Sequence, residues 1–223
     1  MSLTNWTSRD RPGQVGLQGR TVRLEPLRSD AHYAALYPVI ASPEQAELWT
    51  YMPLGPFPTL KAFTQALQHC RATLGWELMV ISPPDTPDIA LGMAGYMRIR
   101  EAHGSAEVGC VTFSPALQRT IQATEAMYLM AAHVFDDLGY RRYEWKCHND
   151  NAASRRAAAR FGFQFEGVFR QDMVVKGENR DTAWFAMTDQ DWPHLKRGFE
   201  AWLAPGNFDP NGQQIRSLEA CRQ

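Results

Sequence analysis

Two stretches of the chain concentrate residues whose types and spacing could do chemistry. The first is Phe113 to Ala126, FSPALQRTIQATEA, which stands just before the most strongly periodic helical segment. The opening amides of a helix lack partners within it, and the helix dipole adds partial positive charge, so such a junction can hold an anion. Arg119 adds a fixed charge suited to phosphate, and Thr120 adds a hydroxyl. An ordinary capped helix start would use the same residues. The glycine spacing of a Walker loop or a dinucleotide fingerprint is missing, which argues against nucleotide hydrolysis and nicotinamide chemistry. The second stretch is Asn149 to Gly167, NDNAASRRAAARFGFQFEG. Asn151 and Ser154 fall where a strand gives way to a helix. They read either as an N-cap pair, or as an amide that bonds an amide-bearing ligand beside a hydroxyl that donates a proton or hydrogen bond.

Other candidates are weaker. His103 and His148 are isolated histidines in or beside loops, without paired ligand spacing, so no metal site is expected. Cys147 and His148 are not a nucleophile–base pair, because neighbours on a strand point to opposite faces. The four cysteines, at 70, 110, 147 and 221, form no CxxC pair and read as free thiols of a reducing compartment. Arg155, Arg156 and Arg160 read as a solvated helix face, with one of them within reach of a ligand phosphate. Glu125 reads as a first-turn carboxylate that suits the helix dipole. A net charge of −1, from 23 basic and 24 acidic side chains, argues against a nucleic-acid or membrane partner and against a strongly cationic groove. No run approaches a membrane span, and the N-terminus lacks the apolar core of a signal peptide; the expectation is a soluble, cytoplasmic protein.

Composition and periodicity place these residues in one domain over 19–203, between a flexible N-terminal segment (1–18) and a C-terminal tail (204–223) rich in turn formers. Strands are expected at 20–27, 77–81, 89–99, 106–113, 142–147, 163–169 and 182–187. Helices are expected at 31–40, 43–49, 60–74, 123–138, 152–161 and 190–203. The strands at 77–113 should form an antiparallel meander. The strand–helix–strand unit at 106–147 should place its two strands side by side and parallel. The fold class is therefore α/β, with a mixed, mostly antiparallel sheet and helices on both faces.

The two stretches together resemble the GNAT superfamily of acyl-CoA-dependent N-acetyltransferases, and more narrowly the RimJ/RimL-type branch that acetylates ribosomal protein N-termini. The resemblance covers about 19–195. It is carried by NxxS at Asn151–Ser154 followed by GF and EG, with support from ATEA, the opening LQGRTVRLEPL, the loop LWTYMPLGPF and the late NRDTAWFAM. It implies the GNAT fold, with cofactor between two splayed parallel strands, and transfer of an acetyl group from acetyl-CoA to a primary amine by direct attack. The acceptor would be a protein N-terminus or a small molecule; a homodimer is compatible with it. A non-catalytic acyl-CoA-binding module is the alternative.

The family's phosphate motif (Gln or Arg, two residues, Gly, one residue, Gly or Ala) falls on Gln118, Ile121 and Ala123, with Ile121 in place of the glycine. By resemblance, amides of Gln118, Arg119, Thr120, Ile121, Gln122 and Ala123 hold the pyrophosphate, and Asn151 contacts pantetheine. A strand-end amide near Val111, Thr112 and Phe113 faces the thioester. The family's usual tyrosine position is Ala158, so Ser154 takes the acid or thiolate-stabilising role. Glu107 is the leading base, with Glu166 behind it. Trp49 and Tyr51 are expected in a loop over the acceptor groove.

Overall fold

The computed structural model describes residues 3–223. Runs with an apolar period of two become strands, and runs with a helical period become helices. The strands are β1 (Leu17–Gln18), β2 (Arg23–Pro26), β3 (Glu77–Ser82), β4 (Gly92–Arg100), β5 (Ser105–Phe113), β6 (Arg142–His148), β7 (Gln164–Val175) and β8 (Glu178–Thr188). The α-helices are α1 (Asp30–Leu36), α2 (Leu60–Leu74), α3 (Ile121–Ala132), α4 (Ala152–Phe161) and α5 (Trp192–Leu203). One sheet holds all eight strands in the order β1-β2-β3-β4-β5-β6-β8-β7. The pair β5–β6 is parallel, with α3 in the crossover, and its neighbours on either side are antiparallel.

Each face of the sheet has its own core. One face gathers Tyr96, Tyr143, Trp145, Phe163 and Phe185 under α3, α4 and α5. The other packs Trp49, Phe57, Phe63 and Leu67 from the α1–α2 region against Leu78, Val80 and Met93. Burying such a side chain is worth roughly 1.5–3 kcal/mol, so the sheet is held from both sides.

The parallel pair is short. β5 and β6 stay in register only from Ser105↔Arg142 to Val108↔Trp145. Just beyond, β5 carries one residue more than β4, because the register passes from Gly95↔Gly109 to Met93↔Thr112. Cys110 takes up the extra residue at φ 49°, and such a bulge bends the strand that bears it. Gly109, just before it, leaves room for Met97, whose Sδ would lie 2.3 Å from a Cβ there. β6 meanwhile keeps β8 as its antiparallel partner as far as His148↔Thr182. One strand bends away while the other runs straight, and the sheet opens between them.

Several expectations differ in extent. The helix expected over 123–138 is α3 followed by a π-helical turn, His133–Asp137. The last two strands reach further than expected, to Val175 and back from Glu178, and meet in a tight turn at Lys176 (φ 52°) and Gly177 (φ 84°). Nearly all of β7 is exposed on both faces, so no burial alternation marks its second half.

The two ends of the chain, read as flexible segment and tail, lie against the domain in the described residues. The Arg11 guanidinium bonds Glu77, Glu101 and the Gly75 carbonyl, and Trp6 Nε1 donates to the Ala102 carbonyl. At the other end Leu218 is buried, Asn207 bonds the Trp202 and Arg216 carbonyls, and the Arg222 guanidinium donates to the Arg160 carbonyl. Turn-forming residues there build a compact hairpin-like return rather than a free end.

Candidate active site

Where β5 and β6 part, a cleft of about 1190 Å³ passes through the sheet. Its walls come from the separated strands, the start of α3, the inner face of α4, the loop after the first helices and the C-terminal return.

The loop before α3 is braced by its own side chains. Gln118 Nε2 donates to the Phe113 carbonyl at 3.0 Å. Thr120 is the N-cap: its hydroxyl accepts from the Ala123 amide at 3.1 Å and donates to the Leu117 carbonyl at 2.7 Å. Arg119 sits at φ 63°, a left-handed conformation that costs a non-glycine residue about 1–2 kcal/mol. That turn aligns the chain so that Ile121 and Gln122 begin the helix, where their amides cannot bond within it. Both residues line the cleft. Ile121 also packs against the core, so its β-branched side chain has a place to go. All of Gln118 to Ala123, and Val111, Thr112 and Phe113, face this space. From Gly109 onward the β6-facing edge of β5 has no strand partner.

Asn151 and Ser154 stand across from that loop, and both line the cleft. Asn151 caps α4: its Oδ1 accepts from the Ser154 amide at 3.0 Å. The cap consumes the carbonyl oxygen and leaves the amide NH2 for something else. The Ser154 hydroxyl accepts from Trp145 Nε1 at 3.0 Å, which leaves its own hydrogen to be donated elsewhere, with the Cys147 sulfur beside it. The structural and functional readings of this pair are therefore compatible, each using a different atom.

Glu107 lies at the throat of the opening. It is 3% exposed, and its Oε2 is 3.0 Å from Lys146 Nζ and 3.7 Å from Arg98 Nε. Lys146 stands within hydrogen-bonding distance of that oxygen, while Arg98 acts on it through its charge. Burial pushes the Glu107 carboxyl above its ordinary range, opposed by Lys146 and Arg98 and assisted by Glu144. Arg98 reaches the site because it occupies a bulge in β4 at φ 45°.

Other expectations fall elsewhere. Trp49 does not line the cleft: it is fully buried in the second core, with Nε1 bonded to the Ile40 carbonyl at 2.6 Å and its ring 4.8 Å from that of Phe57. Tyr51, two residues on, does line it, with its ring 5.3 Å from His148. One short loop thus plugs the core with one aromatic residue and covers the cleft with the next. Glu166 is spent on a bidentate pair with Arg142, at 2.8 and 2.5 Å, outside the cleft. Glu125 is the fifth residue of α3 rather than a first-turn residue. Its carboxylate accepts from the Arg20 amide at 2.8 Å, the Thr21 amide at 2.7 Å and the Thr21 hydroxyl. It ties α3 to the β1–β2 turn, and the dipole account gives way to this one. His103 lies in a short turn after β4, while His148 lines the cleft with Nδ1 accepting from the Asp150 amide.

The expectation against a cationic groove is overturned. Arg98, Arg119, Lys146, Arg156, Arg160 and Arg180 line the cleft, against one carboxylate, Glu107, among the described residues. Net charge constrains a sum, and the fold has sorted the signs. Lys146, Met173, Arg180, Trp202, Phe208 and Gln214 are lining residues that sequence reasoning missed. Met173 and Arg180 come from a late hairpin, and Phe208 and Gln214 from a return of the chain, whose spacing carries no local signal; Lys146 comes from β6 and Trp202 from α5. Among the described residues no helix is long and apolar enough to cross a membrane.

Comparison with known proteins agrees with this geometry. Residues 21–164 match the acetyltransferase (GNAT) domain. A GCN5-related N-acetyltransferase from Brucella melitensis is 43% identical, superposes with a TM-score of 0.91, and covers 99% of either chain. A probable GNAT-family acetyltransferase from Chromobacterium violaceum is 44% identical with a TM-score of 0.81, over 86% of this chain and 96% of the other. The uncharacterized N-acetyltransferase YoaA of Bacillus subtilis is 34% identical over 98 residues, 44% of this chain. The match spans about half of that curated relative's length, 54%. A parallel strand pair parting beside an open helix N-terminus, and a match over most of the chain, lead to one assignment: the chain belongs to the GNAT acetyltransferase family, the family that includes RimJ and RimL.

Proposed function

We propose that this protein transfers an acetyl group from acetyl-CoA to a primary amine by direct attack within one cleft. The observation that carries the reading is the parting of β5 from β6 after Val108↔Trp145, beside the unbonded amides that open α3. A thioester lying in that gap is reachable from both faces of the sheet.

The residues fit the cosubstrate piece by piece. Amides of Ile121 and Gln122, with Arg119, suit a pyrophosphate. The Asn151 NH2 suits a carbonyl of the pantetheine arm. The far end of the cleft, bounded by Arg160, Trp202, Phe208 and Gln214, suits the adenosine and its phosphate. There Trp202 Nε1 donates to Gln214 Oε1 at 2.8 Å, the Arg160 guanidinium lies 5.1 Å from the Trp202 ring, and Arg160 Nη1 donates to Thr124 Oγ1 at 3.1 Å.

The amine must lose a proton to attack, since an ammonium has no lone pair. Glu107 accepts it, directly or through water. Its burial makes it a stronger base than an exposed carboxylate, and the two cations favour the ionised form. Attack forms the C–N bond, and the thioester oxygen gains charge that an unpaired β5 amide near Val111 or Thr112 can meet. The C–S bond then breaks. Ser154 donates a hydrogen bond to the departing sulfur, which becomes a thiol by taking, through solvent, the second proton that the nitrogen sheds after attack; the first leaves Glu107 to solvent. A covalent acetyl-cysteine route is disfavoured, because burial pushes the thiols of Cys110 and Cys147 up, away from the reactive thiolate.

Calorimetric titration with acetyl-CoA, followed by mass spectrometry on an amine panel, tests the reading. Micromolar binding and acetylated product are expected. Binding without product on any amine would return the non-catalytic module, and no binding at millimolar ligand would remove both.

A further inference from the structure

The side chains that are both charged and buried come with partners in all but one case among the described residues. Glu77 has Arg11 and Arg28, Glu107 has Lys146, Glu125 has the Arg20 and Thr21 amides, Glu144 has Arg100 and Arg142, and His133 has Asp137. Arg180 is the exception. It is 8% exposed, and its Nε is buried without a hydrogen-bond partner. No carboxylate lies within 4.0 Å of it among the described residues. A guanidinium does not escape by losing its proton; this one has a buried Nε without an acceptor and turns its remaining nitrogens, unpaired among the described residues, to the cleft, where an anion would meet them.

Arg180 lines the cleft, and its place there follows from register. Lys146 pairs with Trp184 and His148 with Thr182 across β6–β8. Arg180 continues the same side of β8, two residues past the end of β6, and pairs across the hairpin with Met173. It therefore shares the face that holds Glu107, Lys146 and His148, opposite the face packed under α3 and α4. Along β8 it stands roughly 13 Å from the Trp184 row, a gap that an extended arginine side chain shortens. The Lys176 ammonium at the hairpin tip donates to the Trp49 carbonyl at 2.8 Å, so hairpin and aromatic loop meet over this side of the cleft.

We infer that Arg180 binds a carboxylate of the acceptor, so that the amine acetylated here belongs to a molecule with an acidic group a few bonds from its nitrogen. This rests on the acetyl-transfer reading and narrows it. The carboxylate can be the α-carboxylate of a free amino acid or an acidic side chain at the start of a peptide. With Arg119 and Arg160 given to the cosubstrate, Arg98, Lys146 and Arg180 still outnumber Glu107 in the cleft, which disfavours polyamines and polycationic drugs.

The test uses matched pairs on the full chain with acetyl-CoA: L-glutamate against L-glutamine and L-glutamate α-amide, and peptides opening with Asp or Glu against those opening with Asn or Gln. The acid should exceed its amide in kcat/KM by at least tenfold, and which pair shows it identifies the source of the carboxylate. Arg180→Gln should abolish the preference and leave acetyl-CoA binding by calorimetry unchanged; Arg180→Lys should restore part of it. Binding of N-acetyl-L-glutamate against N-acetyl-L-glutamine, and of the matching acetylated peptides, with and without CoA, reads the same preference without turnover. That arm separates failure of the acetyl-transfer reading, seen as no acetyl-CoA binding, from failure of this one. A preference for neutral or polycationic amines, a preference that survives Arg180→Gln, or no discrimination in either measurement would overturn the assignment.

Discussion

Lys146 Nζ and Glu107 Oε2 lie 3.0 Å apart on neighbouring strands, at the point where those strands part. Their pairing sets the protonation of the proposed base. Burial raises the Glu107 carboxyl and Lys146 opposes the rise, so each residue has a distinct, measurable effect. Glu107→Gln should lower kcat by about 100-fold or more, the usual scale for loss of a general base. Lys146→Met removes the opposing cation, so the acidic limb of the kcat/KM profile should move to higher pH. An unmoved limb would separate Lys146 from the base.

The same carboxyl makes a stability statement. Its folded pKa is raised above the unfolded value, so the fold loses stability from this group as pH rises through the folded pKa. Below the unfolded carboxylate range both states are protonated and the loss is absent. The stability of Glu107→Gln relative to wild type should therefore be more favourable at pH 8 than at pH 4. Urea melts at the two pH values check this. A difference of the opposite sign would mean that the cations lower the pKa and hold the carboxylate in the fold.

Asn151 is both helix cap and proposed ligand contact, and the two duties use different atoms. Asn151→Asp keeps an oxygen for the Ser154 amide but removes the NH2. It should leave the melting temperature nearly unchanged and weaken acetyl-CoA binding about tenfold, the scale of one lost hydrogen bond. Asn151→Ala should lose both, with about 1 kcal/mol of stability. Equal acetyl-CoA affinity in wild type and Asn151→Asp would leave Asn151 as a cap alone.

Sheet and helices were legible because period and capping are local. Leu60–Leu74 and Ala152–Phe161 fall where Thr59, Gly75, Asn151 and Gly162 bound them. The parallel pair followed from one strand–helix–strand run, and part of the cleft lining from the junctions at Gln118–Ala123 and Asn151–Ser154. The rest of the lining was not legible. Arg180 and Met173 reach the cleft through a hairpin whose outer strand is exposed on both faces, and Phe208 and Gln214 through a return stitched by Asn207. Neither has a local period. Trp49 and Tyr51 show the same limit from the other side, since a two-residue offset in an irregular loop decides which one is buried.

Glu125 tests whether a buried carboxylate near the cleft is structural. It accepts from two backbone amides and a hydroxyl of the β1–β2 turn, and it does not line the cleft. Glu125→Ala leaves both amides without their acceptor and should cost about 3 kcal/mol. Calorimetry on the folded fraction should find acetyl-CoA affinity unchanged. Parallel loss of affinity would tie the turn to the phosphate loop through α3.

Arg160 bears on how the outer end of the cleft is used. Its guanidinium bonds Thr124, lies against Trp202, and is braced from behind by Arg222 bonding the Arg160 carbonyl. If this end holds the adenosine and its phosphate, Arg160→Gln should raise KM for acetyl-CoA about tenfold, the scale of one charge-assisted hydrogen bond. KM for S-acetylpantetheine, which lacks the adenosine and phosphates, should not change. Glutamine keeps part of the aliphatic stem, which limits the packing lost against Trp202. Equal effects on the two thioesters would move the role of Arg160 from ligand to fold, and a matching drop in melting temperature would identify it as a strut between α3 and the C-terminal return.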